Sequence, residues 1–151
     1  MLTPFQTRSL SLLWRTLSCL PRHPQKVPLL GFIVAGKPQS PDTTVDTCLE
    51  VDADTLRLPK NARTFALKVQ GDSMKGAGIL DGDVVILEFR EPRHGDIVAA
   101  AIDGETTLKR YLEQNGRPYL RAANPKYPDL IPAHELLIQG VQIALLRMPQ
   151  R

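Results

Sequence analysis

One serine in this chain has a setting suited to nucleophilic chemistry. Ser73 stands in Gly71-Asp72-Ser73-Met74, directly after a predicted strand. A glycine that ends a strand allows a sharp turn, which presents the hydroxyl and lets nearby backbone N–H groups converge on an oxyanion. We therefore predict Ser73 as a nucleophile, with an oxyanion hole formed by the backbone of Asp72 and Ser73. Taken alone, however, the motif favours an ordinary turn, and the prediction depends on the residues described next.

Lys109 is the matching candidate for a base. It lies inside Thr106–Tyr111, a strand of an otherwise apolar hairpin. A lysine buried there loses the water that stabilises its ammonium group, so its pKa falls. A neutral amine can accept the proton of a serine hydroxyl, which is the serine–lysine variant of the catalytic triad. The alternative is a solvated lysine on the outer face of the strand.

Other catalytic systems have little support in the sequence. The three histidines, His23, His94 and His134, form no HExxH pattern, and neither a GxSxG elbow nor a Walker loop occurs. His94 is predicted to play a structural part in a turn. Cys19 and Cys48 have no metal-ligand spacing, and two cysteines fit a reducing compartment. We expect no metal and no cofactor, and a cytoplasmic location.

The elements that must position the serine and the lysine are strands and tight turns. Asp103-Gly104 and Asn115-Gly116 stand between apolar runs, which is the strongest short-range signal for a hairpin. No long helix is predicted after residue 42. We predict a mainly β, twisted, barrel-like set of hairpins with an extended N-terminal arm. The predicted strands are Thr64–Val69, Val84–Phe89, Ile97–Ile102, Thr106–Leu112, Pro118–Ala122 and Leu136–Leu146.

The first 35 residues differ in composition from the rest. They contain four basic residues and no acidic one, whereas the whole chain of 151 residues has a net charge of +3. The spacing of leucines over Ser9–Leu20 predicts a short amphipathic helix, or else a disordered arm that becomes helical when bound. An acid-free start rich in arginine also resembles a transit peptide. Pro21, Pro24 and Pro28 predict an extended tether after it. No apolar stretch is long enough to span a membrane.

The order of these motifs resembles the LexA/UmuD family of self-cleaving proteins. The serine and the lysine stand 36 positions apart, close to the family's interval, and the resemblance covers about residues 29 to 147. The matching landmarks are Gly71-Asp72-Ser73-Met74, Ile79-Leu80-Asp81-Gly82-Asp83, His94-Gly95-Asp96-Ile97-Val98, Asp103-Gly104-Glu105-Thr106-Thr107-Leu108-Lys109, Asn124, Tyr127, Glu135-Leu136 and Gly140-Val141.

This resemblance implies a serine endopeptidase whose substrate is its own arm. Ser73 and Lys109 would form the catalytic dyad, and Ala35-Gly36, which precedes Pro38, resembles the family's cleavage site. The chain would then divide into an arm, 1–35, removed by the cut, and a peptidase and dimerisation domain, 36–151. Met74 would line the cleft beneath the serine, and Asp72 would shape the turn.

Within the family, the short arm favours the UmuD type. Thirty-five residues before Gly36 are too few for the helix-turn-helix domain of a LexA-type repressor. The resemblance then implies cleavage stimulated by the RecA–single-strand DNA filament after DNA damage. The trimmed homodimer would join a UmuC-type Y-family polymerase in error-prone translesion synthesis. Neither sequence-specific DNA binding nor membrane attachment is expected.

Three alternatives remain open at this stage. The chain fits a peptidase domain of a LexA or phage-type repressor that lacks its DNA-binding part. It also fits a signal-peptidase-like serine–lysine protease, which would need a membrane anchor. The third alternative is a decoy subunit that dimerises without cutting. Self-cleavage separates the last of these from the others.

Overall fold

The computed structural model describes residues 24–34 and 47–149. The predicted helix over 9–20, Pro21 and the predicted cleavage site at Ala35-Gly36 lie outside these residues. Among the residues described, no helix has the length and apolar character needed to cross a membrane.

Eight strands and one short 3-10 turn, Lys75–Ala77, make up the described chain. All eight strands belong to one sheet, in the order β2-β1-β3-β4-β8-β5-β6-β7. The predicted mainly β class is therefore confirmed. The strands are β1 (Pro24–Val34), β2 (Thr47–Asp52), β3 (Thr64–Gln70), β4 (Val84–Glu88), β5 (Ile97–Ile102), β6 (Glu105–Gln114), β7 (Arg117–Arg121) and β8 (Leu136–Leu146).

The two predicted hairpins form as the turn residues indicate. Asp103 and Gly104 have φ of 47° and 86°, and Asn115 and Gly116 have φ of 52° and 74°. Positive φ at both central residues is the type I′ geometry, whose twist matches that of the flanking strands. These turns fix the register of β5 on β6, in which Lys109 pairs with Val98, and of β6 on β7.

The tether predicted from the prolines is instead part of the sheet. β1 begins at Pro24 and pairs with β2 in antiparallel register from Pro24 to Leu29. Its parallel pairing with β3 starts only at Leu29, so Pro24 and Pro28 lie where β1 has one partner. A proline has no N–H to donate to a neighbouring strand. It is tolerated here because this stretch of β1 has a neighbouring strand on one side only. The chain is extended here, as predicted, but it is paired.

A β-bulge in β1 changes the direction of the strand, so that the last residues of β1 run alongside β3. The register on β3 shifts between Leu29 and Phe32, and Gly31 has φ of 103°, a conformation that favours glycine. Beyond the bulge β1 runs parallel to β3 until Val34, which pairs with Gln70. Gln70 is the last residue of β3 and precedes Ser73 by three positions. The end of β1 therefore lies beside the chain that leads to Ser73.

The sheet curls so that strands distant in its order face each other. β1 contacts β6 although four strands separate them in the sheet order. The inner face holds a cluster of buried side chains that includes Ile33, Val69, Met74 and Leu108. On the opposite face of β3, Ala66 packs in a second cluster with Val27 of β1. β3 is therefore covered on both faces.

Candidate active site

The structure brings Ser73 and Lys109 into direct contact. Lys109 Nζ lies 2.9 Å from Ser73 Oγ, and neither residue is more than 2% exposed. Ser73 follows β3 and Lys109 belongs to β6, four places away in the sheet, so the contact depends on the curl of the sheet. Their catalytic roles stay predictions, but they have the separation that direct proton transfer requires.

Three oxygen atoms surround the Lys109 amine. Besides Ser73 Oγ, they are Thr107 Oγ1 at 2.7 Å and the Leu108 carbonyl oxygen at 3.1 Å. Thr107 precedes Lys109 by two positions in β6, so both side chains lie on one face of the strand. A neutral amine can donate two N–H groups to Thr107 Oγ1 and the Leu108 carbonyl. Its lone pair then remains for the Ser73 hydroxyl.

Burial lowers the pKa of Lys109 from 10.5 to about 8. The physical cause is the loss of the water that would solvate the ammonium group. Among the described residues, no carboxylate forms an ion pair with this amine that would offset the loss. The shift means that the site stabilises the ammonium form by about 3 kcal/mol less than water does, relative to the neutral amine. A lysine in this setting is suited to act as a base near neutral pH.

The turn that carries Ser73 is held at several points by the chain that follows it. The Gly71 N–H donates to Asp81 Oδ1 at 2.8 Å, and the Ala77 N–H donates to the Met74 carbonyl at 3.0 Å. The Met74 side chain, which follows Ser73, is fully buried in an apolar cluster, and its predicted place in the floor of a cleft stays a prediction. Ser73 therefore stands on a turn fixed by hydrogen bonds and next to a buried apolar side chain.

Asp72 has a shaping role in this turn. Tyr127 Oη donates to Asp72 Oδ1 at 2.5 Å, and Asn124 Nδ2 donates to the Asp72 carbonyl oxygen at 3.0 Å. The hydrogen bond from Tyr127 lowers the pKa of the Asp72 carboxyl group and raises that of the Tyr127 phenol. Both directions describe an ionised carboxylate that accepts from a protonated phenol. The oxyanion hole predicted at the backbone of Asp72 and Ser73 stays a prediction.

An ion pair between buried Asp83 and half-exposed Arg147 stabilises the loop that follows the Ser73 turn. Asp83 is 2% exposed and accepts from Arg147 Nη2 at 2.7 Å and from the Leu80 N–H at 2.7 Å. The hydrogen bond from Arg147 lowers the pKa of Asp83. Arg147 Nη2 also donates to the Gly78 carbonyl at 2.8 Å. The chain beyond β8 thus holds the loop that leads from the site into β4.

The residues of β1 that precede Ala35 lie at the edge of the site that contains Ser73 and Lys109. Ile33 is 1% exposed and lies in the same cluster as Met74, Val69 and Leu108. Val34, paired with Gln70, is the last described residue before the predicted cleavage site. The segment that precedes Ala35 is therefore paired, as a strand, with the strand that leads to Ser73.

The remaining candidate residues lie apart from this chemistry. His94 is exposed, and its Nδ1 accepts from the Glu113 N–H at 3.0 Å, which ties the turn before β5 to β6. Cys48 is an exposed free thiol in β2. No group of three histidine, cysteine, aspartate or glutamate residues within 24–34 and 47–149 could hold a metal ion.

Sequence reasoning missed three contributors to the site. Thr107 could have been found, because a period of two places it on the face of Lys109. Asn124 and Tyr127 matched the family pattern but were given no role. Their contacts with Asp72 join residues 52 and 55 positions apart in the sequence. Local sequence patterns cannot predict contacts of such long range.

The structure thus contains a buried serine in contact with a buried lysine on a curled β-sheet, which is the arrangement that the sequence predicted for a serine–lysine peptidase. Residues 28–143 match the family model described as Peptidase S24-like. This match covers most of the chain, and the chain belongs to that family.

Similarity to individual proteins agrees with this assignment. The chain is 56% identical over 126 residues to the LexA repressor of Verrucomicrobium spinosum, which covers 83% of this chain and 62% of that protein. It is 40% identical over 127 residues to the LexA repressor of Opitutus terrae, covering 83% of this chain and 64% of that protein. A similar match is LexA repressor 2 of Pseudomonas putida, at 40% over 131 residues. The chain thus spans less than two thirds of the length of these three relatives.

Proposed function

We propose that this chain is a LexA-type self-cleaving peptidase unit that cuts the bond between Ala35 and Gly36 in its own N-terminal arm. Ser73 is the nucleophile and Lys109 is its base. The observation that carries the proposal is the 2.9 Å contact between Lys109 Nζ and Ser73 Oγ, both buried, beside a strand that leads to Ala35.

The docked strand supports the choice of substrate. β1 runs parallel to β3 and ends at Val34, opposite Gln70. Each further residue of an extended chain advances about 3.3 Å, so an arm that continued in the direction of β1 would bring the bond after Ala35 alongside the span from Gln70 to Ser73. Small residues on both sides of that bond let a narrow cleft approach its carbonyl group. Because the docked strand belongs to the same chain, the reaction is effectively unimolecular, and we propose that it occurs in cis.

The chemical steps follow those of a serine peptidase. Ser73 Oγ attacks the Ala35 carbonyl carbon as Lys109 takes the hydroxyl proton, and the carbonyl electron pair moves onto the oxygen, where backbone N–H groups of Asp72 and Ser73 stabilise it. The intermediate then collapses, the bond to the Gly36 nitrogen breaks, and Lys109 gives its proton to that nitrogen. Lys109 next activates a water molecule that hydrolyses the ester on Ser73, which restores the hydroxyl group and the neutral amine.

The names of the relatives support the LexA-type alternative over the UmuD-type interpretation. The relatives described above are named as LexA repressors. Repression is a property of those proteins, and this chain matches 62% to 64% of the length of the first two. We therefore propose the self-cleaving unit of an SOS regulator in the cytoplasm. Homodimerisation and stimulation by the RecA–single-strand DNA filament are proposed from the family resemblance. A UmuC-type polymerase partner has no support from these relatives.

The proposed cut is tested by mass spectrometry of the purified chain after incubation at pH 7.5 and pH 9, with and without RecA filaments. We expect a product that starts at Gly36 and a complementary fragment that ends at Ala35. The fraction cut per minute should not change when the protein is diluted tenfold, because a reaction in cis is first order. A new N-terminus elsewhere, or an intact chain under every condition, would contradict the proposal.

The rate of self-cleavage should rise with pH. Below pH 8 the buried Lys109 amine is mostly protonated and cannot accept the Ser73 proton, whereas above it the neutral base predominates. For a pKa of about 8, we expect the rate to increase roughly 100-fold between pH 6 and pH 9 and then level off. Initial rates measured in buffers of constant ionic strength give this profile. A rate that is flat or falls over this range would exclude Lys109 as the base.

A further inference from the structure

The chain just after β7 passes close over the nucleophile turn. We call residues 123–127 the latch segment. Three hydrogen bonds join it to the turn: Asn124 Nδ2 to the Asp72 carbonyl oxygen at 3.0 Å, Tyr127 Oη to Asp72 Oδ1 at 2.5 Å, and the Gly76 N–H to the Ala123 carbonyl oxygen at 2.6 Å. The approach is so close that a Cβ on Gly76 would lie 2.4 Å from the Ala123 oxygen. The contact therefore requires glycine at position 76.

These contacts converge on one peptide group. The Asp72 carbonyl oxygen accepts from Asn124 Nδ2 and also from the Lys75 N–H at 3.1 Å. The carbonyl of Asp72 and the N–H of Ser73 belong to the same planar trans peptide, so they point in opposite directions. Donors that hold the carbonyl on the side of the latch segment thus direct the Ser73 N–H to the opposite side.

The Asp72 side chain fixes the same residue a second time. Its carboxylate accepts from Tyr127 Oη, and the ionised acceptor makes this bond stronger than one between neutral groups. With its carbonyl held by Asn124 and its carboxylate by Tyr127, Asp72 is restrained at both ends. Rotation of the Asp72–Ser73 peptide would break the bond to Asn124 and move Asp72 away from Tyr127.

We infer that Asn124 and Tyr127 are positioning residues that orient the Asp72–Ser73 peptide, so that the Ser73 N–H faces the oxygen of the carbonyl under attack. This inference rests on the proposed self-cleavage through Ser73. Neither residue touches the reacting atoms, and both act through Asp72. Lys109 is held separately by Thr107 and Leu108, so loss of the latch leaves the base in place.

The experiment compares Asn124→Leu and Tyr127→Phe with the unaltered chain over pH 6 to pH 10. Loss of one oxyanion donor typically lowers a rate 100- to 1,000-fold. A donor that is present but points in the wrong direction should lower the rate by a similar or smaller factor. We expect the high-pH plateau rate to fall about 100-fold in Asn124→Leu and about 10-fold in Tyr127→Phe. The pH at half-maximal rate should stay within about 0.3 of the original, because the surroundings of Lys109 are intact.

Asp129→Asn is the matched control, since it breaks the exposed Arg121–Asp129 ion pair next to the latch segment without touching Asp72. Its plateau rate should stay within twofold of the original. Plateau rates in Asn124→Leu and Tyr127→Phe that equal the control would overturn the inference, as would a displaced pH midpoint in either. An unaltered chain that never cuts at Gly36 would instead show that the proposed function itself has failed.

Discussion

Replacing Lys109 by methionine is expected to abolish self-cleavage and, at neutral pH, to stabilise the fold. The methionine side chain has similar length but no lone pair that can accept the Ser73 proton. At the same time the variant no longer buries an amine whose pKa is held at about 8. Below pH 8 the native amine is protonated in a site that disfavours the charge by about 3 kcal/mol. Part of this is offset by the hydrogen bonds to Thr107 and Leu108, so we expect a net gain of about 1–2 kcal/mol.

The sign of this stability difference with pH follows from the lowered pKa. Between pH 8 and pH 10.5 the unfolded chain holds a proton on Lys109 that the native chain has lost, so the stability of the native chain rises across this range. Above pH 10.5 the amine is neutral in both states and the penalty is gone. Urea unfolding of the two chains at pH 7 and pH 10 should therefore show an advantage for Lys109→Met that shrinks as the pH rises.

Self-cleavage of Lys109→Met and of Ser73→Ala should fall at least about 1,000-fold at pH 9, because removing either member of a catalytic pair eliminates the chemistry that the pair performs. Lys60→Met serves as the control, since Lys60 is exposed and remote from the site. Mass spectrometry over hours gives the rates. A rate above one tenth of the original in either dyad variant would exclude that residue from the mechanism.

The body of the sheet was predictable because its signals are local. Asp103-Gly104 and Asn115-Gly116 specify two-residue turns by their tolerance of positive φ, and the strands on either side follow from them. The bounds of β5, Ile97–Ile102, agree with the prediction residue for residue. The serine and lysine were recognisable for a different reason: a lysine inside an apolar strand is a conflict with local preference, and such conflicts concentrate at functional sites.

The pairing of the proline-containing half of β1 was not predictable from its own residues. Pro24 and Pro28 argue against a central strand, and the pairing with β3 joins positions more than 30 apart in the chain. The prolines are accommodated only because β3 begins to pair at Leu29. The pairing with β2 begins at Pro24 and the pairing with β3 begins five residues later, at Leu29. This difference depends on how the strands meet in the folded sheet, and the sequence of residues 24 to 34 does not indicate it.

The burial of Lys109, and with it the lowered pKa of its amine, depends on long-range contacts of this kind. Lys109 is buried on β6, and the curl of the sheet sets β6 against β1, the strand that leads to the predicted cut. We therefore expect the seating of the arm and the burial of the base to be coupled. A chain whose arm leaves the cleft would expose the amine, raise its pKa towards 10.5 and lose its base at neutral pH. An activator needs only to favour the seated arm.

Ile33 gives the sharpest test of this coupling. We expect Ile33→Ala to lower the rate of self-cleavage at pH 7.5 at least about 30-fold, because Ile33 is fully buried in the cluster with Met74, and losing such a side chain typically removes 2–5 kcal/mol. That energy comes from the seating of β1, so the equilibrium constant between the seated and the unseated arm falls by a comparable factor. Since unseating also returns water to Lys109, the pH at half-maximal rate should move upwards from about 8 towards 10.5.

This upward movement separates an arm defect from a defect in the chemistry, which would lower the plateau at an unchanged midpoint. Ile33→Val, which keeps the branched shape, should retain the original midpoint and most of the rate. Lys26→Ala is the control on the same strand, because Lys26 is exposed and its side chain is not part of the buried clusters. Rates measured from pH 6 to pH 10 on all four chains decide the matter. An Ile33→Ala chain with a lower plateau and an unmoved midpoint would mean that Lys109 stays dry without the arm, and the link between seating and base strength would have to be abandoned.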